Sequence, residues 1–118
     1  MKYSNLTDYI TYFEHDFNNS DCVVDLFYTT HPQQLEDFLR KFFSTELADY
    51  RYSKKMDEKN WWDETIIQNA IPFMSVSDVG TCITAILRQD RFNSGTILRF
   101  IQNGILIKLL KHLKKLDN

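Results

Sequence analysis

The densest group of residues able to do chemistry is the run Arg88-Gln89-Asp90-Arg91-Phe92, which lies between predominantly apolar stretches. Guanidinium groups pair bidentately with carboxylates and phosphates. If Arg88 and Arg91 project together from a helix end with Gln89 beside them, the run can hold an anionic ligand or a partner. In the structural alternative, Asp90 pairs with Arg91 or caps a neighbouring helix. Arg88 then pairs with an acidic residue of the first half, and Phe92 anchors the turn in the core. We favour this alternative because paired charges are common at helix junctions.

A second candidate contact is the aromatic pair Trp61-Trp62, which follows a charged stretch containing Tyr50 and Tyr52. Trp and Tyr are enriched in interface hot spots, so an exposed pair would mark a partner surface. In the alternative, one indole fills the core and the other shields the junction. Adjacent helical residues point about 100° apart and cannot both be central. The sequence leaves these two interpretations open.

Signals for catalysis are weak. The three histidines, His15, His31 and His112, share no short metal-ligand spacing, and no glycine-rich phosphate loop occurs. Cys82 falls inside a helical pattern, where nothing local lowers the pKa of its thiol. We therefore expect no catalytic residue, no metal and no cofactor, and the sequence favours a protein that is not an enzyme.

Composition favours helices in one domain spanning residues 1–118. Hydrophobic residues make up 43% of the 118 positions, and there are only three Gly and two Pro, too few for the turns of a sandwich or barrel. Net charge is −2, which gives no global field for nucleic acid or anionic lipid. The charge is split, however: residues 1–64 carry a net −6 and residues 65–118 a net +4.

Two further features concern location. Cys22 and Cys82 are the only cysteines, which predicts two reduced, partly buried thiols and a cytoplasmic protein. The start, Met1 to Asp8, lacks the apolar run of a signal peptide, and no segment is apolar enough to span a membrane.

Apolar spacing predicts the helices of the N-terminal part. A helix capped by Ser4 or Asn5 carries Leu6, Tyr9, Ile10, Phe13 and Phe17 on one face. A second helix begins at Thr30-His31-Pro32, with Thr30 or His31 as its cap, and runs to Phe43. The charged stretch 48–60 is predicted to be a loop. Trp61 and Trp62 open a third helix, which Pro72 ends or bends.

The C-terminal third has the clearest pattern. Ser75 or Ser77 caps a helix, Ser94 caps the next one after a turn, and Asn103-Gly104 stops that helix. The last helix, residues 105–116, turns five leucines inward (Leu106, Leu109, Leu110, Leu113 and Leu116) and four lysines to water (Lys108, Lys111, Lys114 and Lys115). The predicted fold is an all-α bundle of five or six short helices. The alternative is an α+β fold with a short strand or hairpin near residues 22–28 and 48–53.

The run Thr84-Ala85-Ile86-Leu87-Arg88-Gln89-Asp90-Arg91-Phe92, followed by Gly95 and by Asn103-Gly104-Ile105-Leu106, resembles a family of small bacterial proteins of unknown function. The resemblance is strongest over residues 76–116. It implies a bacterial or phage-related cytoplasmic protein and brings no catalytic residue with it.

We expect a small protein-interaction or regulatory module whose partner is another protein or a second copy of itself, as in a homodimer. The first alternative is a nucleic-acid-associated regulator that uses Arg88, Arg91 and the C-terminal lysines. The second is a small-ligand binder or enzyme with a pocket near the turn at residues 88–92. The wide leucine stripe of the last helix favours a solvated lysine face over binding of nucleic acid or membrane.

Overall fold

The protein is all-α, as predicted. The computed structural model describes residues 1–18, 23–24 and 29–118. Within those ranges it contains seven helices, if the run from Ser4 to Asp16 is counted as one helix and the 3-10 turn at Ile71–Phe73 is counted with the helix before it. The elements are α1 (Ser4–Thr7), α2 (Tyr9–Thr11), a π-helical turn (Tyr12–Asp16), β1 (Val23–Val24), β2 (Thr29–Thr30), α3 (Gln33–Phe43), α4 (Tyr52–Lys59), α5 (Glu64–Ala70), a 3-10 turn (Ile71–Phe73), α6 (Val76–Gln89), α7 (Thr96–Gln102) and α8 (Ile105–Leu116).

The β structure of the described residues is one short antiparallel pair, in which Val23 faces Thr30 and Val24 faces Thr29. Most of the predicted strand 22–28, together with the Cys22 thiol, lies outside the described residues. The other proposed strand, 48–53, is not a strand either: residues 48–51 form the loop and turn that lead into α4, and residues 52–53 are its first two residues. Strands of two residues are too short to form a layer of β-sheet, so the fold is not the α+β alternative.

Helix α4 is where the sequence interpretation was wrong, because residues 48–60 were expected to form a loop. Tyr52 and Met56, four residues apart, are both buried and give the helix one apolar edge. Asn60 ends it in the left-handed region, with φ 55°. The next helix, α5, begins at Glu64 with Asp63 as its N-cap, and not at the tryptophans.

Helix α6 is the central element, and every residue from Val79 to Leu87 is buried. Ser75 caps it as predicted: its hydroxyl accepts from the Asp78 N–H, and the Asp78 carboxylate accepts from the Ser75 N–H. Helices α4, α7 and α8 all pack against it. An all-round buried helix needs neighbours on every side, and these three provide most of them.

Gly80 allows the chain before α4 to lie directly on α6. A Cβ atom at this position would sit 2.4 Å from the carbonyl oxygen of Leu47. Two side chains of α6 fix the same segment: the Thr81 hydroxyl donates to the Asp49 carboxylate (2.7 Å), and the Asp49 N–H donates to the Thr84 hydroxyl (3.0 Å). The segment between α3 and α4 is therefore held to α6 by backbone contact as well as by hydrogen bonds.

The helix ends differ in detail from those predicted. Helix α7 follows Gly95 (φ 91°), so Ser94 is not its N-cap, and α3 follows Pro32 and not Thr30 or His31. The N-cap position of α1 is Tyr3 and not Ser4 or Asn5. In α8 four of the five leucines are buried, but Leu116 is 38% exposed. None of α1, α3 and α7 has a side-chain hydrogen bond at its N-cap, so the backbone angles and not a short polar residue set where it begins.

Cys82 is fully buried in α6, and burial raises the pKa of its thiol to about 12. We expect this thiol not to react with iodoacetamide at about pH 8 in the folded protein, because the thiolate is the reactive form. The measurement is mass spectrometry of a Cys22→Ser variant, in which Cys82 is the only thiol, before and after unfolding in guanidinium chloride. Rapid alkylation of the folded variant would contradict this.

Candidate functional site

Asp90 joins three segments at the C-terminal end of α6. Its side chain is 8% exposed. One carboxylate oxygen, Oδ1, accepts from the N–H groups of Gly95 and Ile97, both at 3.1 Å. The other, Oδ2, lies 3.2 Å from Nε2 of His31. Asp90 therefore caps the first turn of α7 from outside that helix, which is the structural alternative considered for this residue.

The hydrogen-bond donors around Asp90 favour the ionised form of its carboxylate. Burial works to raise the pKa of the carboxyl, but the hydrogen bond from His31 and the N–H groups of Ile97 and Gly95 outweigh it and lower that pKa. The carboxylate thus stays ionised at neutral pH. The His31 side chain is 7% exposed, and its Nδ1 has no hydrogen-bond partner among the described residues. A buried carboxylate committed to three donors is poorly placed to take up a ligand.

The other residues of the run lie in separate environments. The Arg88 guanidinium lies over the Tyr50 ring, 5.3 Å from its centroid, and makes no ion pair with a carboxylate of the described residues. Arg91 is exposed and makes no ion pair with the described residues. Gln89 is partly buried. Phe92 is 75% exposed, so the expectation that it anchors the turn in the core is wrong. The turn after α6 ends at the capped start of α7, which leaves the Phe92 ring in solvent.

The two tryptophans also separate. Trp61 is 6% exposed and belongs to the core, with the ammonium of Lys55 6.0 Å from its ring. Trp62 is partly buried and packs on the edge of the core. This is the arrangement in which one indole fills the core and its neighbour covers the junction. Neither presents a fully exposed anchor.

An apolar surface that the sequence interpretation missed lies on α5 and the 3-10 turn. Phe73 is 88% exposed and Ile66 38% exposed, and both Pro72 and part of Ala70 also reach solvent. Ile66, Ala70 and Phe73 follow one another at four- and three-residue steps, so they share one side of the helical segment. We call these four residues the α5 face. A signal was present in the sequence: residues 65–77 contain no charged residue.

Three side chains of α7 and α8 contact α5 and the residue after the 3-10 turn. The Lys108 ammonium donates to the Gln68 side-chain oxygen (2.7 Å), and Nε2–H of His112 donates to the Met74 carbonyl (2.9 Å). At the start of α5, Nε of Arg99 lies 3.7 Å from the Glu64 carboxylate. Gln68 is two positions from both Ile66 and Ala70, about 200° around the helix, so the Lys108 contact lies on the other flank of α5 from the α5 face.

Two shallow pockets lie elsewhere on the described surface. One of about 430 Å³ is lined by Tyr3, Glu46, Leu47, Ala48, Asp49, Val76 and Ser77. The other, of about 470 Å³, is lined by Asn5, Asp8, Tyr9, Tyr12, Gln34 and Lys41. No residue of the run 88–92 lines either of them.

The titratable pair of the first pocket is poorly suited to acid–base catalysis. The Tyr3 hydroxyl donates to Glu46 at 2.6 Å, and this hydrogen bond raises the pKa of Tyr3. Hydrogen bonds from Lys2 and Tyr3 lower the pKa of Glu46 to about 2. Both shifts move the groups away from neutral pH, whereas general acid–base catalysis needs a pKa near the working pH.

Among the described residues, no three His, Cys, Asp or Glu side chains come together in a way that could hold a metal ion. Within the same residues, no helix combines the length and apolar character needed to cross a membrane. The fold and these sites thus define a small all-α protein with a polar junction that joins its helices and an uncharged helical face open to solvent.

A family model described as a family of unknown function, DUF6508, matches residues 4–118, and the chain belongs to this family. The match extends almost to the N-terminus, well beyond the C-terminal residues 76–116 in which the resemblance was strongest. No curated protein and no solved structure matches the chain.

Proposed function

We propose that the protein is a non-catalytic interaction module that binds a partner protein through the α5 face. The observation that carries this proposal is the Phe73 ring, which is 88% exposed and lies on the same side of the helical segment as Ile66, 38% exposed, in a stretch of 13 uncharged residues. Grouped apolar side chains in solvent are typical of binding surfaces, and aromatic anchors supply much of the affinity at protein interfaces.

The polar residues support the same proposal indirectly. Asp90, which belongs to the run that the sequence marks as the densest group able to do chemistry, is occupied with His31 and the first turn of α7. The Tyr3–Glu46 pair has pKa values displaced from neutrality. These contacts favour binding over catalysis.

We also propose that the protein is bacterial and cytoplasmic. The support is the resemblance of the run Thr84 to Phe92, with Gly95, to small bacterial proteins, and the composition with two cysteines and no disulfide framework.

Position-specific crosslinking tests the proposed function. Benzoylphenylalanine is placed at position 73, or at position 92 as a control, and the protein is irradiated in cells that express it naturally. Phe92 is a matched control because it is also exposed, at 75%, but lies outside the α5 face. We expect a discrete protein adduct from position 73 and none from position 92. No adduct from position 73, or the same adducts from both positions, would contradict the proposal.

A further inference from the structure

A pocket between the N-terminal helical run and α3 is lined by charged, amide and phenol side chains. The lining residues are Asn5, Asp8, Tyr9 and Tyr12 from the N-terminal run, and Gln34 and Lys41 from α3. The first four follow the i, i+3, i+4, i+7 pattern of one helix side, and the other two lie seven positions apart on one side of α3. The two rows face each other across about 470 Å³, a volume typical of small-molecule sites.

The ammonium of Lys41 brings a positive charge to this pocket without a carboxylate to balance it. It donates to the Tyr9 hydroxyl at 3.0 Å, and that hydroxyl is a neutral group from the opposite wall. Asp37, one turn earlier on α3, is engaged elsewhere: its Oδ1 accepts from the Gln33 amide and lies 3.0 Å from the Arg40 guanidinium. Lys41 is partly buried, and a partly buried cation with a neutral partner gains from pairing with an incoming carboxylate.

Asp8 brings the opposite charge to the same pocket. Its side chain is exposed, and its carboxylate makes no ion pair with the described residues, Lys41 included. Asp8 and Lys41 are the two charged residues among the six that line the pocket. One pocket thus holds a carboxylate and an ammonium that do not neutralise each other.

We infer that this pocket binds a small zwitterion of the amino-acid class. The ligand carboxylate pairs with Lys41, and the ligand ammonium pairs with Asp8. The side-chain amides of Asn5 and Gln34 offer further donors and acceptors, and the partly buried Tyr9 ring offers an apolar surface to the body of the ligand. None of these residues belongs to the α5 face, so the inference goes beyond the proposed function and does not rest on it.

The two opposite charges argue against other classes of ligand. A phosphate or another polyanion would be attracted by Lys41 but repelled by Asp8, and for a polyamine the two effects are reversed. An uncharged molecule would displace water from both charged groups without pairing with either of them, which costs free energy. A molecule with one charge of each sign satisfies both walls of the pocket.

Titration of the isotopically labelled whole protein with each common amino acid, followed by NMR, tests this inference. We expect at least one amino acid to bind with a Kd of about 1 mM or lower and to shift the backbone amide signals of the lining residues. Each amino acid that binds is then compared with the amine that lacks its carboxylate and with the acid that lacks its ammonium. For phenylalanine these are phenethylamine and hydrocinnamate. Both single-charge compounds are expected to bind at least about tenfold more weakly, because one ion pair is lost.

Two variants assign the charges to their partners. Lys41→Met and Asp8→Asn should each weaken the amino acid by about tenfold or more. In Lys41→Met the amine should then bind as tightly as the amino acid, and in Asp8→Asn the acid should do so, because the group that each compound lacks has no partner left. Lys54→Met and Asp57→Asn, the same changes at exposed positions of α4 outside the pocket, should leave binding unaffected.

Circular dichroism is expected to show all four variants folded. Asp8→Asn replaces an exposed residue, so its result stands even where Lys41→Met, at a partly buried position, lowers stability. The inference would be overturned if no amino acid bound up to about 10 mM, if the single-charge compounds bound as tightly as the amino acid, or if neither pocket variant weakened binding. Each of these results would leave the interaction module standing, because crosslinking from position 73 reports on a different face.

Discussion

Replacing Asp90 with alanine is expected to lower the free energy of unfolding by about 3 kcal/mol, which corresponds to a fall in Tm of roughly 12 °C. The change removes the acceptor for the N–H groups of Gly95 and Ile97, and it leaves the buried His31 ring without its carboxylate. Uncapping a helix alone costs about 1 kcal/mol, and the loss of a buried charged partner adds the larger part. The measurement is denaturation in urea, followed by circular dichroism.

Two variants serve as controls for this result. Arg91→Ala, one position away but exposed and without an ion pair to the described residues, should change stability by no more than about 0.5 kcal/mol. Asp90→Asn keeps a side-chain oxygen that can accept from the N–H groups of Gly95 and Ile97, so its loss of stability should lie between those of Asp90→Ala and Arg91→Ala. Equal small effects of Asp90→Ala and Arg91→Ala would contradict the structural role assigned to Asp90.

The same carboxylate contributes to the dependence of stability on pH. Because the pKa of Asp90 is lowered in the folded protein, its contribution is complete above the ordinary value of about 3.9 and is lost as the pH falls below it. Asp90→Asn should therefore be less stable than the wild type at about pH 6, and the difference should shrink towards about pH 3. Asp78 and Glu46 also have lowered pKa values, so part of the acid sensitivity should remain in the variant.

Gly80→Ala is expected to destabilise the protein by about 2 kcal/mol, although the same substitution inside an ordinary helix stabilises by up to about 1 kcal/mol. The added methyl group would meet the Leu47 carbonyl oxygen at 2.4 Å, so the backbone before α4 has to move away from α6. This movement would stretch the hydrogen bonds of Asp49 to Thr81 and Thr84. Thermal unfolding followed by circular dichroism measures the effect.

Ser77→Ala, an exposed change on the same helix, is the control for the glycine substitution and should shift stability by no more than about 0.5 kcal/mol. An unchanged or raised Tm for Gly80→Ala would show that the two segments do not touch as described.

The helices with both an apolar stripe and a local start or stop signal were predictable from sequence. In α6 the Ser75–Asp78 capping box and the apolar spacing both indicate a helix that begins after Ser75. In α8 Gly104 and the spacing of the leucines both indicate a helix that begins after the glycine. Helix α4 was missed because eight residues with only Tyr52 and Met56 as apolar contacts look like a charged loop. Its stability comes from packing against α6, which local sequence does not record.

The candidate sites were less predictable. The sequence suggested that Asp90 could cap a helix, but it could not identify His31 as the partner, because that residue comes from a distant part of the chain. The exposure of Phe73 was missed for a different reason. Residues 65–73 have apolar side chains on more than one side and no charge, so periodicity does not show which side is buried. The packing of Ile67 and Ile71 into the core determines which side is buried and leaves Phe73 exposed.

The contact between the two ends of the chain has a consequence for biosynthesis. The Tyr3 N–H donates to the Asp117 carboxylate at 2.8 Å, across 114 positions, and α8 packs directly on α1. Helix α1 is thus synthesised well before α8, the helix that covers one of its faces. Completion of this part of the core during translation has to wait for α8, and until then α1 and its aromatic neighbours are covered on the α3 side alone, where Phe38 packs on Tyr9 and Phe13.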